Sequence, residues 1–355
     1  MKKLGCAAVG CAAFFALAVA VIAGLASWNL DTPSGSEEGG AHHDADSYAE
    51  VGALNQFQRQ DAGDRLRLSY GFIDHNDRPH QVTCEIRKAD YIREVASFGY
   101  SPEEMNRAVG ERLRSLFEEE AARRGLRQYI QFEIVEGTGY RWQWEVPGGL
   151  RSEEAVRLEA ELRDFDQWLD KDLERAKEAA LSRYLEERGF QLKGEEISID
   201  YAREVAQATG PLQGCFEALR RAGHGDSEHR LLGLFLAFVQ ELRYELPPEV
   251  EAGRHTLGFR VPSAVLAKGA GDCDSKAATF CSLWRHYQRR AILILVPEHA
   301  LVGVEAKPRA DEAYVRLGNR YFVLCEVAGP AKIPPGGESL SGSFEYVMIE
   351  PVNGP

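Results

Sequence analysis

The chain has 355 residues, of which 44% are hydrophobic and 27% are charged. This composition is typical of a folded globular protein and excludes a largely disordered one. The formal net charge is −13 at pH 7 and no block of Lys and Arg stands out, so a nucleic-acid partner is not expected, because phosphate binding needs a basic surface. The length predicts one membrane element and two soluble domains.

Seven cysteines are spread along the chain without the CxxC spacing of a zinc site, and they are too sparse for a dense disulfide framework. Cys6 and Cys11 lie in the apolar N-terminal run. If one of the others is a working thiol, the remaining four are buried apolar side chains or form up to two disulfides. These five are Cys84, Cys215, Cys273, Cys281 and Cys325. No metal site and no cofactor are predicted.

The N-terminus carries an apolar run without a charge, residues 4–30, directly behind Lys2 and Lys3. The run is longer than the roughly 20 residues that a spanning helix needs, whereas a cleaved signal peptide has an apolar region of only about 7–15 residues. We therefore predict an uncleaved single-pass anchor over residues 1–30. The lysines stay cytoplasmic, which places the bulk of the chain in the periplasm or outside the cell. A cleaved signal peptide and a lipid anchor at a cysteine are the alternatives.

Residues 31–63 are rich in Gly, Ser, Asp, Glu and Ala and show little periodicity, which predicts a flexible linker. Residues 64–150 have the pattern of a small α+β domain of unknown role. Its first strand is indicated by Leu66, Leu68 and Tyr70, which alternate with polar residues, and a turn and a second strand follow. Ser101 and Pro102 then open a helix, and two further strands close the domain.

Residues 151–196 contain the longest periodic segment and are predicted to form a long charged helical arm. Apolar residues recur every three or four positions, while Glu and Arg fill the other faces. The stripe consists of Leu158, Leu162, Phe165, Leu169, Leu173, Ala176, Ala180 and Tyr184. We expect this helix to connect two domains and to be packed on one side only.

The segment 271–276 places a cysteine where glycines give way to a helix. Asp272 is the predicted N-cap and Cys273 lies in the first turn, while Ala277 and Phe280 continue at helical spacing. The unpaired N–H groups and the positive end of the helix dipole favour the thiolate over the thiol. The backbone N–H of the cysteine also points to where an oxyanion would form.

Two further residues complete a nucleophile–base–acid set. His299 follows a buried aliphatic strand, residues 291–296, and precedes another strand, as an imidazole base would. Residues 321–326 form a later strand whose alternation places Glu326 on the face opposite Cys325. A buried carboxylate needs a partner, which His299 supplies. Asp311, in a charged loop nearer to His299 in sequence, is the second-choice acid.

The order of these residues resembles the transglutaminase-like superfamily, and in particular its bacterial extracytoplasmic members. The similar segments are residues 238–240 with Tyr244, residues 271–276 with Lys276, and residues 299–304. The resemblance covers roughly residues 197–350 and implies a papain-like α+β domain over 197–355. It implies Cys273 as nucleophile, His299 as general base and Glu326 as orienting acid, although the family's third member is usually Asp. By chain order, Gln240 is the candidate oxyanion donor and Tyr244 is the second.

A site of this type transfers acyl groups through a thioester. Hydrolysis, by a peptidase or amidase, is favoured because water is abundant outside the membrane. The alternatives are a protein-crosslinking transamidase on the same three residues and a non-catalytic membrane-tethered binding or scaffold protein. The expected partners are a protein or peptide substrate outside the cytoplasm and the membrane itself through residues 4–30. No acidic loop that would require calcium is found in the sequence.

Overall fold

The structure is a computed structural model that describes residues 56–135, 139–329, 332–338, 340 and 343–352. The predicted membrane anchor and most of the predicted linker lie outside these residues. None of the helices in the described ranges combines the length and the apolarity needed to cross a membrane. The fold is mixed α+β, as predicted. The described residues form two compact units, one of residues 100–198 and one that combines residues 56–99 with 199–352.

Residues 56–99 form a three-stranded antiparallel sheet followed by a helix. The elements are β1 (Gln58–Ala62), β2 (Arg65–Ile73), β3 (Pro79–Arg87) and α1 (Lys88–Ser97). The predicted alternation of β2 is confirmed, since Leu66, Leu68 and Tyr70 are buried. The linker prediction was wrong at its end, because β1 lies within residues 31–63 and pairs with β2. Its side chains are all exposed, and all but Ala62 are polar, so the strand has no alternation that sequence could reveal.

Residues 100–198 form a helical unit that also carries two short hairpins. In chain order its elements are α2 (Pro102–Arg123), β4 (Ile130–Ile134), β5 (Tyr140–Trp144), α3 (Ser152–Trp168), a π-helical turn (Leu169–Leu173), α4 (Glu174–Glu187), β6 (Phe190–Lys193) and β7 (Glu196–Ile199). Ser101 caps α2 by accepting a hydrogen bond from the backbone N–H of Glu104 at 3.3 Å, as the sequence indicated.

The predicted helix exists as α3, the π turn and α4, and it is packed through its apolar stripe, as predicted. Its predicted role as an arm between two domains was wrong, because it lies inside the unit of residues 100–198. Leu162, Phe165, Leu169 and Leu173 are fully buried and form one core with α2 and with β4 and β5. An amphipathic helix of this length stabilises a fold by burying its apolar stripe, and here the partners of that stripe precede it in sequence.

The last part of the chain builds a helical layer and a five-stranded sheet. In chain order the elements are α5 (Tyr201–Thr209), α6 (Gln213–Ala222), α7 (Glu228–Gln240), β8 (Arg243–Tyr244), β9 (Val250–Glu251), β10 (Arg254–His255), α8 (Pro262–Lys268), β11 (Ala270–Gly271), α9 (Cys273–Trp284), β12 (Ala291–Val296), β13 (His299–Glu305), β14 (Tyr314–Leu317), β15 (Arg320–Cys325) and β16 (Glu345–Ile349). The antiparallel sheet has the order β14-β15-β13-β12-β16, and α9 packs against β12 and β13.

The predicted boundary between residues 196 and 197 lies close to the division after Ser198, whereas the predicted boundary at residue 150 falls inside one unit. Residues 56–99, which were predicted to belong to the preceding domain, pack with the C-terminal segment. The Tyr70 hydroxyl donates to the carbonyl of Leu266 at 2.7 Å. The rings of Phe72 and Phe238 meet at 5.6 Å between centroids. A disulfide joins Cys84 of β3 to Cys215 of α6. These long-range contacts have no local sequence signal.

Removing this disulfide should destabilise the protein. The bridge joins residues 131 positions apart, so it restricts the unfolded chain strongly, and its loss should lower the free energy of unfolding by about 3 kcal/mol. The double variant Cys84→Ala/Cys215→Ala should therefore unfold at lower urea concentration than the wild type. Wild-type protein under reducing conditions provides the control and should shift similarly. An unchanged urea midpoint in both cases would refute the prediction.

A pair of buried carboxyl groups lies in the same unit. Glu94 of α1 and Glu204 of α5 are 4% and 0% exposed. Glu94 Oε1 accepts from the backbone N–H of Ser263 at 3.0 Å, while Glu94 Oε2 and Glu204 Oε2 have no hydrogen-bond partner among the described residues. Burial raises the pKa of each carboxyl group to about 7, and the charge of Glu94 adds to this effect at Glu204.

These carboxyl groups should make the protein more stable in mild acid. Their folded-state pKa lies above the ordinary value, so their contribution is complete below about pH 4.5 and is lost as the pH rises through about 7. The free energy of unfolding should fall between about pH 4.5 and 7.5. Glu94→Gln and Glu204→Gln should each reduce that fall by about 2 kcal/mol. Urea unfolding at each pH measures the free energy of unfolding. Glu111→Gln, a substitution at an exposed residue, is the control and should retain the full pH dependence.

Candidate active site

The cysteine that the sequence singled out lies at the start of a helix. Gly269, with φ of +66°, ends α8, and the next two residues form β11, which pairs in parallel with β8. Asp272 then occupies the N-cap position of α9 and Cys273 is its first residue, as predicted, although Asp272 makes no side-chain capping bond. Cys273 is partly exposed. The sequence therefore presents a thiol at a helix N-terminus that solvent can reach.

A tight hairpin positions His299. Val296 pairs with His299 across β12 and β13, so only Pro297 and Glu298 form the turn. Glu298 has a φ of +61°, and a positive φ at the second central residue after a proline matches a type II turn. The imidazole Nε2 lies 2.7 Å from Glu326 Oε2, and the side chain is 35% exposed. The hairpin thus fixes the position of the imidazole ring, while about a third of the side chain remains exposed to solvent.

Glu326 directly follows β15, and the register of the sheet explains its contact with His299. Val302 of β13 pairs with Cys325, so the next residue, Glu326, lies across from Leu301 and diagonal to His299 on one face. Both carboxylate oxygens have partners, since Oε2 contacts His299 and Oε1 accepts from the backbone N–H of Ala328 at 2.7 Å. The carboxylate side chain is only 11% exposed.

The three predicted side chains are therefore connected in space. Hydrogen bonds to Cys273 and to Glu326 raise the pKa of His299 to about 10, against the opposing effect of burial. A protonated imidazole between a sulfur and a carboxylate is the charge distribution of a thiolate–imidazolium ion pair.

The second-choice acid lies elsewhere. Asp311 is exposed in the turn before β14, whereas the bond to His299 Nε2 comes from Glu326. Proximity in sequence was misleading here because β13 runs away from the site before the chain reaches Asp311.

Gln240 does not have the geometry expected of an oxyanion donor. It is 1% exposed, and its amide nitrogen donates to the carbonyls of Glu326 at 2.6 Å and of Ile333 at 2.9 Å. Its amide oxygen lies 3.0 Å from His75 Nε2. No amide N–H is left for an oxyanion. Chain order could not reveal this, because Gln240 ends α7 and its side chain turns towards the acid-bearing segment.

Tyr244, the second candidate, is better placed. It is 45% exposed, and its partner in the β8–β11 pairing is Gly271, two residues before Cys273. Partial burial and the negative charge of Cys273 and of its neighbouring carboxylates raise the pKa of Tyr244 to about 12. Its hydroxyl therefore keeps its proton at neutral pH and can donate a hydrogen bond beside the thiol.

Two polar side chains near Cys273 received no role from sequence. Lys276 is fully buried, its Nζ donates to the carbonyls of Ala328 and, at 3.3 Å, of Gln240, and burial lowers its pKa to about 7. Asp274 accepts from the Tyr201 hydroxyl at 2.7 Å, and burial together with the charge of Asp272 raises its pKa. The sequence did contain one signal for Lys276: it is a charged residue in α9, and the residues that follow it in this helix are buried and mostly apolar.

Within the described ranges, no group of three or more His, Cys, Asp or Glu side chains is arranged to hold a metal ion. No protein-family model matches the chain, and comparisons with curated proteins and with solved structures find no match either.

The site predicts one fast-reacting thiol. Iodoacetamide at pH 7 should alkylate Cys273 roughly a hundredfold faster than Cys281 or Cys325, which are fully buried and whose pKa burial raises. Peptide mapping by mass spectrometry over time measures the three rates. His299→Gln should slow only Cys273. Equal and slow labelling of all three thiols would show that the site does not activate the cysteine.

Proposed function

We propose that the protein is a membrane-anchored, transglutaminase-like thiol enzyme that cleaves amide bonds of proteins or peptides by hydrolysis. The observation that carries this proposal is the line of contacts from Cys273 through His299 to Glu326, with 2.7 Å between the His299 and Glu326 side chains. Nucleophile, base and orienting acid thus stand in the order that thiol acyl transfer requires.

The surrounding architecture supports the same family assignment. A helix that begins with the thiol packs against an antiparallel sheet, and neighbouring strands of that sheet provide the imidazole and the carboxylate. This is the arrangement expected of a papain-like fold. The assignment rests on this geometry and on the motifs in segments 271–276 and 299–304.

In the first half of the reaction, the thiolate of Cys273 attacks the carbonyl carbon of an amide. The carbonyl π electrons move to oxygen and give a tetrahedral oxyanion. When the oxyanion collapses, the C–N bond breaks, and the His299 imidazolium gives its proton to the departing amine. The product is a thioester on Cys273, and His299 is left neutral. Glu326 keeps the ring oriented throughout and stabilises its charged form.

In the second half, water replaces the amine. Neutral His299 removes a proton from the water as its oxygen attacks the thioester carbon. Collapse of the second tetrahedral species breaks the C–S bond, releases a carboxylic acid and restores the thiolate–imidazolium pair. Atoms and charge balance without a further reactant.

Two donors are available for the oxyanion. The backbone N–H of Cys273 belongs to the first turn of α9, where N–H groups have no acceptor within the helix. The second is the Tyr244 hydroxyl, which keeps its proton at neutral pH and belongs to a residue that pairs with Gly271, two positions before the thiol. Donors fixed before the reaction stabilise the developing charge more than water does.

Access of water supports hydrolysis over transamidation. Cys273 is itself partly exposed, and His299 and Tyr244 are 35% and 45% exposed, so water has access to the site. A transamidase has to protect its thioester from water until an amine arrives, and this site is open. The Cys84–Cys215 disulfide supports a location outside the cytoplasm, because structural disulfides persist in oxidising compartments.

Incubation with a mixture of tryptic peptides and a fluorescent primary amine tests whether the reaction is hydrolysis or transamidation, and it also tests the role of Glu326. Mass spectrometry should find new carboxyl termini or deamidated side chains, with little amine incorporated. Glu326→Gln should lower the rate by about a hundredfold, because the imidazolium loses its carboxylate, while the exposed Asp311→Asn should keep full activity.

The opposing results are equally clear. If the amine is incorporated into most of the products, the protein is a transamidase and the proposal of hydrolysis is wrong. Complete inertness of the wild type, together with slow alkylation of Cys273, would instead favour a binding or scaffold role.

A further inference from the structure

The segment that carries Glu326 is not part of a strand, yet it is tightly held. Gln240 Nε2 donates to the Glu326 carbonyl at 2.6 Å and to the Ile333 carbonyl at 2.9 Å, so one amide group ties both sides of the segment to the end of α7. A Cβ on Gly329 would lie 2.2 Å from the carbonyl oxygen of Gln240, and the φ of Gly329 is +60°. Only glycine permits so close an approach in this conformation.

Lys276 holds the same segment from the side of the cysteine helix. It lies one turn after Cys273 on α9, and its Nζ donates to the carbonyls of Ala328 and Gln240. The backbone N–H of Ala328 in turn donates to Glu326 Oε1 at 2.7 Å. A neutral amine keeps two hydrogens, so both bonds persist when Lys276 loses its proton. Ala328 thus links Lys276 to the carboxylate, because its carbonyl accepts from the lysine and its N–H donates to Glu326.

His75 sets the direction of the Gln240 amide. Because Gln240 Nε2 donates to two carbonyls, its Oε1 must accept, and His75 Nε2 at 3.0 Å is the donor. His75 lies in the turn between β2 and β3. The buried Asp74 fixes that turn by accepting from the backbone N–H groups of Asn76 and Arg78 at 2.8 Å and 3.0 Å.

We propose that Gln240 and Lys276 are positioning residues that hold the Glu326 carboxylate against His299, with His75 orienting Gln240. The inference rests on the proposed function, because the placement of Glu326 affects a reaction only if His299 acts in it. One bond of Gln240 ends on the carbonyl of Glu326, and one bond of Lys276 ends on Ala328, whose N–H binds the carboxylate. Loss of these bonds therefore moves Glu326 relative to the imidazole before it disturbs the cysteine helix.

The experiment follows the pH dependence of Cys273 alkylation by iodoacetamide, from pH 5 to 11, in the full-length protein. The variants are Lys276→Met, Lys276→Gln and Gln240→Glu, with Glu326→Gln as the reference for a lost acid. The upper ionisation of the profile, which reports loss of the imidazolium, should move down by about one pH unit in Lys276→Met and Gln240→Glu. Lys276→Gln keeps a donor and should recover part of the shift.

Two further variants allow the proposal to be tested even if a substitution of Lys276 or Gln240 prevents folding. His75→Asn breaks the bond to Gln240 far from the thiol and should shift the upper ionisation in the same direction by a smaller amount. Lys177→Met removes another buried lysine, 8% exposed and in the unit of residues 100–198, and should leave the profile unchanged. A merely structural role would lower stability in these variants without moving the ionisation.

The outcomes separate the two proposals. A wild type without a fast-reacting Cys273 overturns the proposed function. A reactive wild type whose upper ionisation shifts in Glu326→Gln but stays in place in the Lys276, Gln240 and His75 variants overturns the positioning role alone.

Discussion

The contact between His299 and Glu326 depends on two neighbouring strands whose ends meet at one end of a sheet. A tight turn places the imidazole ring at the first residue of β13, and the antiparallel register brings the last residues of β15 to the same end of the sheet. A buried carboxylate is costly without partners, and this one has an imidazole on one oxygen and a backbone N–H on the other. The rest of the C-terminal unit supplies the thiol and holds these two groups in register.

The split arrangement of this unit has a physical consequence for the site. The sheet of β1 to β3 precedes the helical unit in sequence, yet it packs on α7 and α8 and is joined to α6 by a disulfide. Its turn brings His75 to Gln240, and Gln240 contacts the segment of Glu326. A segment far from the cysteine in sequence thereby becomes part of the support of the acid.

Several charged groups in this unit are buried, and burial shifts each pKa towards the neutral form. The pKa of Lys276 is lowered, and the pKa values of Glu94, Glu204 and Asp274 are raised. His299 is the exception, because two hydrogen bonds outweigh its burial. The site thus favours the protonated imidazole, which is the form that the proposed ion pair with the Cys273 thiolate requires.

Local patterns in the sequence determined much of this protein. The glycines before a helix placed Cys273 at its start, the aliphatic run of β12 placed His299 after a turn, and alternation placed Glu326 opposite Cys325. Capping chemistry and apolar periodicity likewise gave α2 and the long helix of residues 152–187. These features follow from interactions between residues that are close in the chain, so their signals are local.

Tertiary structure alone decided what those elements pack against. Nothing in β1 marks it as a strand, because its stability comes from pairing with β2. The helical stripe predicted one packed face but did not reveal that its partners were α2 and the β4–β5 hairpin, and Cys84 did not reveal Cys215. Gln240 shows the limit most clearly: its position in the chain fits an oxyanion donor, but burial against Glu326 and Ile333 uses both of its amide hydrogens. Long-range burial and hydrogen-bond satisfaction assign such residues, and neither can be read from spacing.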